Sequence, residues 1–110
     1  MGRYITTTGT ASTVIRNATT TFAATVNDRI LANSTTGAFT ITLPNVATLL
    51  ANDTIQIIDV GGVAATNKIT IARNGALIQG LAEDLVIDLN GSVTTLIYTG
   101  ITYGWVYAAV

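Results

Sequence analysis

Several short runs along the chain alternate strictly between apolar and polar positions. In Phe39-Thr40-Ile41-Thr42-Leu43, the Phe, Ile and Leu share one face and the two Thr share the other. Lys68-Ile69-Thr70-Ile71-Ala72 repeats the pattern, and Thr54-Ile55-Gln56-Ile57-Ile58-Asp59 follows it at first. In Asp84-Leu85-Val86-Ile87-Asp88-Leu89, residues Leu85, Ile87 and Leu89 fall on one face. A period of two is that of a β-strand with one face on a core. The residue types agree with the period. Threonine alone is about a fifth of the chain, and Val and Ile are frequent. Side chains branched at Cβ lose rotamer freedom in a helix and fit a pleated surface.

Turn formers separate these runs: Ser34-Thr35-Thr36-Gly37, Gly61-Gly62, Asn74-Gly75, Asn90-Gly91 and Tyr103-Gly104. Asn-Gly suits the type I′ hairpin turn, because both residues tolerate positive φ. A spacing of about 10–15 residues between strands predicts a sandwich or small barrel. The one helical candidate is Val46–Ala51, just after Pro44. Asn45 is placed to cap it and Asn52-Asp53 to end it. No internal repeat of solenoid length stands out.

The first 28 residues have a different texture. Thr6–Thr13 is small and polar, and Thr19-Thr20-Thr21 follows, with Val14, Ile15, Phe22 and Val26 as scattered anchors. Such a stretch cannot form a core of its own. Two readings are open: an extended arm ordered by neighbouring molecules, or an edge hairpin packed on its own domain. The expected fold is therefore all-β. It is a single antiparallel sandwich, or a small barrel or β-prism-like domain, over residues 29–110, preceded by an extended Thr-rich N-terminal arm over residues 1–28.

Composition narrows the function. The 110 residues suit one domain. Only 10% of residues are charged and the net charge is -1. So weakly charged a surface gives little colloidal repulsion, and much of it is expected to be covered by partners. Apolar runs are all far shorter than the ~18–20 residues that span a bilayer as a helix, so no membrane partner is expected. The N-terminus lacks the continuous apolar stretch of a secretion signal. Arg3, Arg16, Arg29, Lys68 and Arg73 are scattered and form no stripe for phosphates, which argues against nucleic acid. The absence of Cys removes disulfides and zinc–thiolate sites.

Catalytic chemistry is sparse. Without His, the commonest general base and metal ligand are missing. Six carboxylates remain. Asp53 with Asp59, or Glu83 with Asp88, could be set against a glycosidic bond, and Glu83-Asp84 could contribute to a Ca²⁺ site. The favoured reading makes them turn and strand-end residues in solvent. Asp59-Val60-Gly61-Gly62 matches no phosphate-binding loop; it reads as a tight corner with Asp59 bonded to nearby backbone amides. No catalytic residue, cofactor or metal is expected. The structural turn positions are Asp53, Asp59, Gly61, Gly62, Asn74, Gly75, Asn90 and Gly91. Trp105 and Tyr107 share a face of a closing strand and read as core or subunit-contact anchors rather than a sugar platform. With Arg3, Tyr4, Ile5, Val14, Ile15, Arg16 and Phe22, they form the candidate interface set.

Over residues 29–110, the order of these elements resembles a β-rich module of bacteriophage virion proteins, notably those of phages of cyanobacteria and marine bacteria. The residues that carry it are Ala38–Pro44, Asn52–Gly62, Asn67–Ile71, Asn74-Gly75, Ile78-Gln79-Gly80 and Gly104-Trp105-Val106. Where a Gly usually precedes the Asp, this chain has Asn52, which also tolerates left-handed geometry. The resemblance implies a trimer-forming structural protein located in the virion and assembled in the host cytoplasm. Because the module fills nearly the whole chain, the expected role is a capsid decoration, or cement, protein. Homotrimers would bind the major capsid protein or other virion proteins, with arms clamping neighbours. The alternative is a tail-fibre or tail-tip component that meets host glycans through Tyr and Trp loops.

Overall fold

The computed structural model describes residues 13–108. Among them, nine strands run in the order β1 (Val14–Ala18), β2 (Phe22–Ala23), β3 (Asp28–Ala32), β4 (Phe39–Thr42), β5 (Thr54–Asp59), β6 (Ile69–Ala72), β7 (Leu85–Ile87), β8 (Val93–Tyr98) and β9 (Trp105–Tyr107). All the alternating runs of the sequence become strands. The helical candidate shrinks to a 3-10 turn, Val46–Thr48, where the Asn45 side chain accepts from the Ala47 amide at 2.9 Å. Asn52, at φ 79°, ends that segment in left-handed geometry.

The strands form a five-stranded sheet, ordered β1-β3-β5-β8-β9, and a four-stranded sheet, ordered β2-β4-β6-β7. From β1 to β6 the chain visits the two sheets in turn. Each strand therefore returns beside its predecessor in the same direction: β1 with β3, β3 with β5, β2 with β4, and β4 with β6 are all parallel. The winding reverses after β6, so β6–β7, β5–β8 and β8–β9 are antiparallel. Both sheets are mixed and neither closes, which corrects the expected antiparallel sandwich or barrel.

The physical reason lies in the connections. A parallel pair needs a crossover, and here a strand in the opposite sheet provides it. The turns that suggested hairpins do other work. Asn74 and Gly75 have φ of 50° and 94°, and the Arg73 carbonyl accepts from the Ala76 amide at 3.2 Å, as in a type I′ turn. The chain then runs on through a long loop before β7. The Asn90-Gly91 turn carries positive φ at Gly91 and takes the chain from β7 in one sheet to β8 in the other. The coils are also unequal in length, as the pairs Val14↔Asp28 and Phe39↔Ile69 show, and this hides any repeat.

The inner faces meet in one core. Ile30, Ile55, Ile57, Leu96 and Tyr98 of the larger sheet pack against Phe39, Ile41, Ile69, Ile71 and Ile87 of the smaller one. Paired inward residues stack along the coil, Ile30 on Ile57 and Ile41 on Ile71. Each such isoleucine is worth roughly 1.5–3 kcal/mol of transfer free energy. Trp105 is completely buried and meets Tyr98 edge-on, with ring centroids 5.6 Å apart. As a candidate interface residue, Trp105 is thus placed inside the core.

The first 28 residues divide. Residues 1–12 lie outside the described residues. Val14–Ala18 and Phe22–Ala23 form the outermost strands of the two sheets at one end of the coil. They pair with different sheets, so they make no hairpin with each other.

Candidate functional site

The corners between strands take up Asp53, Asp59 and Asp84, while Glu83 and Asp88 are exposed. Asp59 ends β5 with its side chain inward and 4% exposed, against the solvated position expected for it. Its carboxylate accepts from the amides of Gly62 and Ala64 at 3.1 Å and of Gly91 at 3.0 Å. It therefore closes its own Gly-rich corner and ties it to the β7–β8 turn. A Cβ on Gly61 would come within 2.7 Å of the Asn33 side-chain oxygen, so a larger residue there would have to displace the Asn33 side chain.

The other turn residues act the same way. Asp53 accepts from the Leu50 amide at 2.8 Å. Asn74 donates to the Leu43 carbonyl at 2.9 Å, and a Cβ on Gly75 would press on Val46. Asn90 accepts from the Ala65 amide at 2.8 Å. Asp84 accepts from the Arg73 amide at 3.0 Å. Among the described residues, no group of three or more His, Cys, Asp or Glu gathers closely enough to hold a metal ion. One corner tie escaped sequence reasoning. Buried Ser34 donates to the Asn67 carbonyl at 2.8 Å, and Asn67 returns a bond to the Ser34 carbonyl. Nothing local signals a pair so far apart in sequence.

What remains open is the free edges of the sheets. At the β1–β2 end, Val14 and Ile15 are more than half exposed. Arg16 and Phe22 are engaged within the chain. The Arg16 guanidinium lies 4.7 Å from the Phe22 ring centroid, donates to the Thr25 hydroxyl at 3.2 Å and pairs with Asp28 at 3.3 Å. Asp28 is buried and also accepts from the Thr25 amide at 2.8 Å. A buried carboxylate needs such partners; the half-open pair itself adds little stability. Arg3, Tyr4 and Ile5 lie outside the described residues.

At the opposite end, the edge strands β7 and β9 border a groove of about 320 Å³. Val86, Leu89, Val93 and Tyr107 line it and are each roughly half or more exposed. Tyr107 is on the same face of β9 as Trp105, but it sits at the rim, its amide bonded to the Gln79 side chain at 3.0 Å. Sequence reasoning found Tyr107 and missed the rest. It placed Leu89 with Leu85 and Ile87 on the core face, but β7 stops at Ile87 and Leu89 turns outward. Val86 gave a legible signal: it occupies the outward position of a strand, where the other runs carry Thr or Gln.

No protein-family model matches the sequence, and no curated protein matches it.

Proposed function

We propose that this chain is a non-enzymatic structural protein of a bacteriophage particle, a capsid decoration protein acting as homotrimers on the shell. The observation that carries the reading is the placement of exposed apolar side chains at the free sheet edges of a weakly charged body. Val14 and Ile15 mark one end, and Val86, Leu89, Val93 and Tyr107 the other. Free edges with apolar side chains invite pairing with further chains unless they are covered. The corners support the same role: Asp59, Asn74 and Asn90 hold loops to strands, and a body held in this way suits passive reinforcement of an assembly. Many copies, each weakly bound, then act together through multivalency.

A second reading, a tail-fibre or tail-tip component, is favoured by one feature. Ile101 and Tyr103, in the β8–β9 connection, are 83% and 63% exposed. An exposed tyrosine beside an aliphatic side chain can stack on a host glycan.

The deciding experiment counts copies of this chain per purified particle against the major capsid protein. Near-stoichiometric abundance is expected for decoration. A few copies per particle would sink it and move the chain to the tail, where binding on a glycan array should then depend on Tyr103.

A further inference from the structure

We infer that the copies of the homotrimer meet through the outer face of the five-stranded sheet, arranged around an axis parallel to its strands, so that β3 of one copy faces β8 of the next. The inference rests on the homotrimer reading above and names its contact surface.

The two outer faces of the molecule differ. On the five-stranded sheet, Ile15, Leu31, Ile58, Val93, Ile97 and Val106 alternate with the inward positions and so point away from the core. Ile15 and Val93 are more than half exposed, and the other four are half-buried. The four-stranded sheet turns Thr40, Thr42, Thr70 and Ala72 outward, beside one larger apolar residue, Val86. A sheet with one face in water alternates apolar inside with polar outside. The four-stranded sheet follows that rule and the five-stranded sheet departs from it. Six aliphatic side chains on one face mark a surface that meets a partner.

The rows of this face identify the partner as another copy of the chain. Leu31, Ile58 and Val93 stand side by side across β3, β5 and β8, and Arg29, Gln56 and Thr95 stand side by side in the adjacent row. Each row keeps one polarity from β3 to β8. An axis parallel to the strands carries each row onto the same row of the next copy, with the β3 half against the β8 half. Leu31 then packs on Val93 of the next copy, and Ile58 of every copy lies nearest the axis. One face supplies both halves of the contact, as an interface between identical chains requires.

The polar row fits the same arrangement. Arg29 is the one charged residue that these five strands turn outward. Its Nε–H is buried without a hydrogen-bond partner among the described residues. The axis brings its guanidinium to Thr95 of the next copy. The Thr95 hydroxyl oxygen accepts from the Gln56 side-chain amide of its own chain at 2.9 Å, and a hydroxyl has a second lone pair for a further donor. An axis running along the rows would instead gather the arginines of all copies at one point, and like charges placed together disfavour association.

The chain has no cysteine, so an introduced pair reports without background. The full chain carrying Leu31→Cys with Val93→Cys is oxidised. Within one chain these positions lie two strand spacings apart, about 9.6 Å, beyond the roughly 7 Å between Cα atoms that a disulfide tolerates. Any bond therefore joins two copies. The control carries Thr40→Cys with Val86→Cys, equally far apart on the outer face of the other sheet. The expected result is covalent trimers on a non-reducing gel, at about tenfold the control yield or more, because a docked pair meets at a far higher effective concentration than a free one. Equal yields would overturn the choice of face, and covalent dimers without trimers would overturn the three-fold arrangement. A protein that sediments as a trimer yet forms no such bond would overturn this surface and leave the homotrimer reading standing. One that sediments as a monomer at every concentration would overturn the homotrimer reading itself. In a second variant, Ile58→Lys places a charge from each copy near the axis. It should raise the concentration of half-assembly about tenfold or more with an unchanged circular dichroism spectrum, and an unchanged assembly concentration would count against the surface.

Discussion

Replacing Asp59 tests whether one buried carboxylate holds two distant corners together. Asp59→Ala removes the acceptor for three amides, those of Gly62, Ala64 and Gly91. Gly91 is exposed and Gly62 half-buried, so water can replace the bonds to both; Ala64 is fully buried and stays unpaired. Bonds to a charged acceptor are worth about 1.5–3 kcal/mol, and an unsatisfied buried donor costs about 1–3 kcal/mol. Allowing for the water, the loss should be about 2–4 kcal/mol. For a chain of this size that lowers Tm by roughly 10–20 °C. Asp59→Asn keeps one acceptor oxygen but turns an amide NH2 toward a donor, so its loss should be smaller, about 1–2 kcal/mol. Calorimetry on the parent and both variants gives the magnitudes, and native-state hydrogen exchange gives the location. The Ala64 amide should lose protection selectively. An Asp59→Ala variant within about 0.5 kcal/mol of the parent, the range of ordinary surface changes, would refute the reasoning.

Gly104 has φ 69°, and a Cβ there would meet the Leu77 carbonyl oxygen at 2.0 Å; Gly104→Ala should cost about 3 kcal/mol or more in a denaturant titration, from left-handed strain plus overpacking. Trp105→Ala should cost about 3–5 kcal/mol. Trp105→Phe should cost clearly less, because it keeps most of the ring volume and removes an indole N–H that is buried without a partner among the described residues. Thermal melts of the two variants separate the terms. Val86→Lys with Val93→Lys should lower self-association in sedimentation experiments while changing stability by only about 0.5 kcal/mol, because both side chains point outward.

The sequence by itself determined where β4, β5, β6 and β7 form, although its alternation ran on to Leu89 where β7 stops at Ile87. Alternation of Ile with Thr or Gln in Phe39–Leu43, Thr54–Asp59 and Lys68–Ala72 names the inward residue at each position, and the same side chains fill the core. Asn52, Asn74, Gly75 and Gly91 were legible as left-handed turn positions, because few residues adopt positive φ without strain. Asn45 was legible as a cap and Asp59 as a corner acceptor. These are local properties, set by neighbours in the chain.

Pairing is not local. Alternation states that β3 has one buried face, but it is silent on whether the next strand beside it is β4 or β5. Only the tertiary structure sends successive strands to opposite sheets and makes the first three coils parallel. It also decides that the Asp59 carboxylate reaches Gly91 as well as Gly62, that Ser34 finds Asn67, and that Trp105 is core while Tyr107, two residues on, is rim. The exposed groove is the clearest case. Val86, Leu89, Val93 and Tyr107 come from three separate stretches of chain, and each alone looks like an ordinary strand or turn residue. They become one surface because β7 and β9 end their two sheets side by side, an outcome of long-range register.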